Sequence, residues 1–155
     1  MTRIESGAHV VAWVAKRLRG QFAPTAEGIG LYKDGLVAGV IYENWNHRSV
    51  TCHIAIEGRM TPAYLASIFH YPFRFLGVDK IICPVSEGND ESKALVENMG
   101  FEEETRIKDA HPEGDLVIYT MTLDQCRFVG ERYERRLIVK GSPNGQRFSE
   151  SAAAA

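Results

Sequence analysis

Between Val85 and Phe101 the chain reads Val-Ser-Glu-Gly-Asn-Asp-Glu-Ser-Lys-Ala-Leu-Val-Glu-Asn-Met-Gly-Phe. This run dictates a strand end, one short helix and a hard stop. Asn89 and Ser92 stand three residues apart, so they share one face of the first helical turn. The N–H groups of that turn have no partner within the helix, and Asn89 is placed to cap them. Leu95 and Met99 carry the same stripe onward as apolar residues, and Gly100 supplies the left-handed stop. Read alone, the segment is an ordinary capped helix with polar side chains beside a strand end.

The rest of the chain sets that helix in a mixed pattern. Ser6 reads as the cap of a helix over 6–19, with Val10, Val11, Val14 and Leu18 on its apolar face and Gly20 at its end. Lys16, Arg17 and Arg19 fall where cations complement the helix dipole, which accounts for them better than nucleic-acid contact does. No convincing strand precedes this helix. Strands are expected at 28–33, 36–43 and 49–56, the first two joined by the turn signal Lys33-Asp34-Gly35. The polar turn 43–48 carries Trp45 toward solvent, either as a substrate anchor or as cover for a core edge. Thr61 and Pro62 open a helix running to about Leu76, with Leu65, Phe69, Phe73 and Leu76 buried and Pro72 bending or shortening it. A short apolar strand at 80–85 leads into the 89–99 helix. Strands at 101–108 and 115–123 follow, connected through 111–114. Asp124 is expected to cap a last helix to about Arg132, and 141–155 is too poor in apolar residues to pack.

At 155 residues and a net charge of -2, one domain over 1–140 with a real core is expected. That charge, with no basic stripe laced by aromatics, argues against a nucleic-acid partner. No apolar run approaches the ~20 residues of a membrane span, and no signal peptide is read at the N-terminus. Cys52, Cys83 and Cys126 show no metal-ligand spacing, as expected of reduced thiols in a cytoplasmic protein.

The order Asn89-x-x-Ser92, then Met99-Gly100-Phe101, then an acidic strand and one holding Gly114-Asp115-Leu116-Val117-Ile118-Tyr119, resembles the GNAT acetyltransferase superfamily over 35–128. It looks most like the branch with ribosomal-protein N-terminal acetyltransferases and small phage-encoded relatives. The resemblance implies an α/β fold with a mixed, mostly antiparallel sheet, a splayed parallel strand pair and flanking helices. It implies acetyl transfer from acetyl-CoA to an amine of a small molecule or protein, and is compatible with a homodimer.

The resemblance also distributes roles. The loop Glu57-Gly58-Arg59-Met60-Thr61-Pro62 takes the place of the pyrophosphate cradle, with Gly58, Arg59, Met60 and Thr61 as contacts. Its pattern has fewer glycines than the family's, and Pro62 brings no N–H. Ile54, Ala55 and Ile56 stand where a strand edge would bond the pantetheine arm, with Asn89 on the arm's amide and Ser92 near the sulfur. The position often filled by a proton-donating Tyr is Val96, which leaves Ser92 as the hydroxyl at hand. For the general base, His53, Glu43 and Glu57 are candidates. His53 is favoured because imidazole titrates near neutrality and because Thr51, His53, Ala55 and Glu57 share the more polar strand face. A second reading, a catalytically inactive GNAT-like binding or assembly module, draws on the thin loop and the missing Tyr.

Overall fold

The computed structural model describes residues 1–139, so the expectation for 141–155 lies outside the described residues. In chain order the elements are β1 (Arg3–Ser6), α1 (Ala8–Leu18), β2 (Glu27–Tyr32), β3 (Leu36–Glu43), β4 (Ser49–Ile56), α2 (Pro62–His70), β5 (Lys80–Ser86), α3 (Asp90–Met99), β6 (Glu102–His111), β7 (Gly114–Thr122) and α4 (Glu131–Val139). One seven-stranded sheet runs in the order β1-β2-β3-β4-β5-β7-β6. Every neighbouring pair is antiparallel except β4 and β5. This is the mixed α/β sheet expected.

Three local expectations are corrected. Arg3–Ser6 is a strand, antiparallel to the end of β2. Its four residues show no apolar alternation. They are held by the ladder, by Arg3 stacked 3.8 Å over the Tyr32 ring and by a 2.7 Å Arg3–Glu5 pair. Ser6 therefore ends β1 instead of capping a helix, and Gly7 turns the chain at φ 132. The 6–19 helix closes one residue early, with Arg19 in the left-handed region at φ 54 where Gly20 was expected. The helix expected to reach Leu76 is α-helical only to His70, shortened ahead of Pro72 as read. The chain passes into one π-helical turn, Tyr71–Phe75, whose wider bond runs from Leu76 N–H to the Tyr71 carbonyl. Finally, Asp124 caps nothing. Two short 3-10 turns occupy 123–129, the first closed by reciprocal bonding of Thr122 and Gln125, and α4 begins at Glu131.

The β3–β4 register divides the sheet into two faces. Val40 pairs with Ile54 and Tyr42 with Cys52 on the face covered by α2. Ile41 pairs with His53 and Gly39 with Ala55 on the face covered by α1. Val10 and Val14 of α1 are fully buried there, each contributing about 1.5–3 kcal/mol of apolar burial. Gly39 permits that contact, since a Cβ on it would stand 2.5 Å from Val14 Cγ2. On the other face, Tyr64 of α2 donates to the Ile29 carbonyl at 2.8 Å, and Tyr42 donates to the carbonyl of Ile68. A buried hydroxyl without such a partner would cost more than its ring gains.

Candidate functional site

β4 and β5 begin as parallel neighbours and then part. Ser49, Val50 and Thr51 pair with Lys80, Ile81 and Ile82, and the ladder goes no further, although β4 continues to Ile56 and β5 to Ser86. The fork opens a cleft of about 390 Å³ through the sheet. A second compartment of about 290 Å³ continues it along Ile54, Ala55, Ile56 and Glu57. Ile54, Asn89, Ser92 and Leu95 line both compartments. An open strand edge beside a helix N-terminus is a standing invitation to an amide-bearing, anionic ligand.

At that helix N-terminus Asn89 is the cap, as read. The Asn89 side-chain oxygen accepts from Ser92 N–H at 3.1 Å, which leaves the Asn89 amide NH2 for a ligand. Gly100 closes α3 in the left-handed region at φ 108. Val96 is buried against the cleft where a Tyr was sought, so no phenol enters from α3.

The two strongest base candidates are a pair. His53 Nε2 lies 2.7 Å from Glu43 Oε2, at an angle too oblique for an aligned hydrogen bond. Both stand on the α1 face, two rungs apart across β3 and β4, and both side chains are under one-fifth exposed, at 19% and 14%. Burial pulls the His53 pKa below its ordinary value, and the Glu43 carboxylate pulls it partly back. Phe22, from the loop after α1, packs on the imidazole with ring centres 4.7 Å apart. His53 lines the cleft; Glu43 stands behind it.

The expected phosphate loop is partly spent. The N–H groups of Glu57 and Gly58 both bond the Val37 carbonyl, at 2.7 and 3.0 Å. Gly58 serves this close approach, because a Cβ there would meet Val37 Cβ at 2.8 Å. The N–H groups of Arg59, Met60 and Thr61 have no protein acceptor among the described residues, while Thr61 Oγ1 caps α2 by accepting from Tyr64 N–H at 3.1 Å. Arg59 is exposed and lines neither compartment. Glu57 is held by Arg17 in a two-pronged pair, 2.8 and 3.1 Å, at the surface.

Four cleft residues were missed in the sequence. Arg17 stacks 3.6 Å over Trp13 and sits at the mouth of the second compartment, forty residues from its Glu57 partner. Phe22 comes from an unstructured loop. Ser86, at the end of β5, has a buried hydroxyl with no bonding partner among the described residues. His111 ends β6 at the rim, its Nδ1 accepting from Glu113 N–H at 3.1 Å. No spacing rule links any of them to β4; only the fold does. The acidic run Glu102–Glu104, by contrast, is committed to Gln125, Arg106 and Lys80.

No protein-family model and no curated protein sequence matches the chain. Solved structures do. A spermidine N-acetyltransferase chimera of Vibrio cholerae and human sequences aligns at TM-score 0.64 and 14% identity, over 83% of this chain and 99% of that one. The Vibrio cholerae spermidine/spermine N-acetyltransferase aligns at 0.60 and 14%, over 78% and 92%. A Vibrio cholerae protein assigned as a ribosomal-protein-serine acetyltransferase aligns at 0.54 and 16%, over 63% and 64%. The fold of this chain is the acetyltransferase fold these proteins share.

Proposed function

We propose, with the GNAT acetyltransferase fold as premise, that this protein is an acetyl-CoA-dependent N-acetyltransferase acting on a primary amine. The observation that carries the reading is the β4–β5 fork, which puts the Asn89–Ser92 helix start and the His53–Glu43 pair on one continuous cleft. The donor set fits acetyl-CoA: an unpaired β4 edge at Ile54–Ile56 for the arm, the Asn89 amide beside it, and free N–H groups at 59–61 for the anionic end.

When bound, acetyl-CoA supplies a thioester whose C–S bond breaks as the new N–C bond forms. Burial holds the His53 pKa down and so favours its neutral form. With Nε2–H turned to Glu43, Nδ1 is the basic nitrogen, and it takes the proton that the acceptor ammonium must lose. Glu43 then steadies the imidazolium. The Ser92 hydroxyl donates to the departing sulfur, doing with one hydrogen bond what a Tyr at position 96 would do. Phe22, Ser86 and His111 bound the opposite opening of the cleft, where an acceptor enters.

The acceptor is a small-molecule or protein amine. The structural neighbours act on spermidine in one case and are assigned to a ribosomal protein in another. Cys52, Cys83 and Cys126 are free and buried, which suits a cytoplasmic setting. A second reading, a GNAT-shaped binding module without turnover, is favoured by the engagement of Glu57 and Gly58 with Val37. Isotope-labelled acetyl-CoA incubated with a panel of diamines and lysine- or N-terminal-amine peptides separates the two. Labelled acetyl on any amine, lost in His53→Gln, supports the enzyme; none on all acceptors supports the module.

A further inference from the structure

A second cavity, of about 300 Å³, opens at the other end of β4, away from the fork. Its walls come from the start of β2, the end of β3, the turn that follows, and the π-helical turn after α2. Three aromatic rings face it: Tyr42, Trp45 and Tyr71. The Glu27 carboxylate does so as well, on the face it shares with its cross-strand partner Tyr42, whereas Glu43 reaches the wall from the strand end with its carboxylate turned to His53 on the other face.

Glu27 is the unusual one. It is half-buried, and burial pushes its carboxyl above the usual carboxylate range, with no cation among the described residues pulling it back. The same environment pushes the Tyr71 phenol up to about 12, through burial and the nearby Glu27 charge. A carboxylate taken out of water without a counter-charge is costly, and a ligand that brings the charge recovers the loss. Trp45 is 42% exposed on a polar turn, tilted against His47 at 4.1 Å, an expensive place for an indole that does nothing.

The chemistry of the walls selects the ligand. The Glu27 carboxylate repels anions. A bare metal ion is ruled out by ligand count, since no trio of His, Cys, Asp or Glu converges among the described residues. Electron-rich ring faces with a carboxylate among them suit a cation that also carries hydrocarbon. We propose that this cavity is a binding site for an organic cation, an alkylammonium or guanidinium head on a short apolar stem, held by Glu27 and enclosed by Trp45, Tyr42 and Tyr71. The site stands on this cavity and not on acetyl transfer.

The test is binding to the full chain in amine-free buffer, read by Trp45 emission and by calorimetry. The probes are n-butylammonium, its neutral counterpart 1-butanol, potassium ion, and a capped tripeptide with one central lysine. Saturable binding of n-butylammonium, without a response to 1-butanol or potassium, is expected. A tighter response to the capped lysine peptide would assign the head group to a polypeptide, and a weaker one to a free amine. Glu27→Gln removes a strained charge, so its thermal midpoint should equal or exceed that of wild type while affinity falls roughly tenfold or more. Trp45→Leu, at an exposed position, serves as the second variant and should lose calorimetric affinity by a similar factor. Equal binding of 1-butanol, or unchanged affinity in both folded variants, overturns the proposal.

Discussion

Ser92→Ala isolates the step for which this chain lacks the usual phenol. Ser92 lines both compartments of the cleft, and its backbone N–H, not its hydroxyl, makes the cap bond to Asn89. Removing the hydroxyl therefore leaves the cap intact, and Ala is the better helix former. Stability should be unchanged or slightly higher. A hydrogen bond from a neutral hydroxyl to a charged partner is worth about 1.5–3 kcal/mol. At 1.36 kcal/mol per tenfold, its loss in the transition state predicts a drop in kcat of roughly 10- to 150-fold. The acetyl-CoA affinity should move far less, because the sulfur carries little charge before the bond breaks. Thiol release measured with an aromatic disulfide reagent gives kcat, and calorimetry gives the affinity. A folded variant with kcat within about twofold of wild type, a change smaller than any charge-assisted bond, would refute the assignment of Ser92 to the leaving sulfur.

Asn89→Ala should lose both the cap and the arm contact: about 0.5–2 kcal/mol of stability by denaturant titration, together with weaker acetyl-CoA binding. Burial holds His53 below the ordinary imidazole value of 6.5, so the native state resists protonation more than the unfolded chain does. Stability should therefore hold above that value and fall as pH drops below it, and turnover should fall at lower pH, through the lowered native value. His53→Gln should lessen the acidic fall in stability, the buried His70 still contributing to it, and cost about 10²–10⁴ in turnover, checked by pH profiles of both quantities. Arg59→Ala should weaken binding of CoA by about 1–3 kcal/mol but leave a pantetheine fragment lacking the pyrophosphate unaffected; equal effects on both ligands, measured by calorimetry, would take Arg59 out of phosphate recognition.

Local signals were legible where a few neighbouring residues settle the backbone. Lys33-Asp34-Gly35 forms the expected hairpin, with Asp34 and Gly35 at φ 57 and 129. Asn89, Gly100, Thr61 and Pro62 mark helix ends as read. The parallel fork followed from a hairpin and a strand-helix-strand crossover, and it opens where the strand reading placed it. What escaped was decided at a distance. β1 has too few residues to show a period and is fixed by β2. His53 and Glu43 looked like rival bases until the β3–β4 register set them side by side. Arg17 looked like a helix-end cation, and only α1 packing over β4 gives it Glu57. The single glycine of the phosphate loop looked like a ligand approach and is a contact with Val37. Each of these depends on which strand lies beside which, and no window along the chain contains that.

Calorimetric titration of the full chain with acetyl-CoA tests the central claim most directly, since the β4 edge, Asn89, Ser92 and the 59–61 amides are all assigned to that one molecule. The account predicts saturable binding at one site per chain, weakened in Asn89→Ala and largely retained in Ser92→Ala. No heat and no competition by CoA, from protein that melts cooperatively, would contradict it and leave the fork as architecture alone.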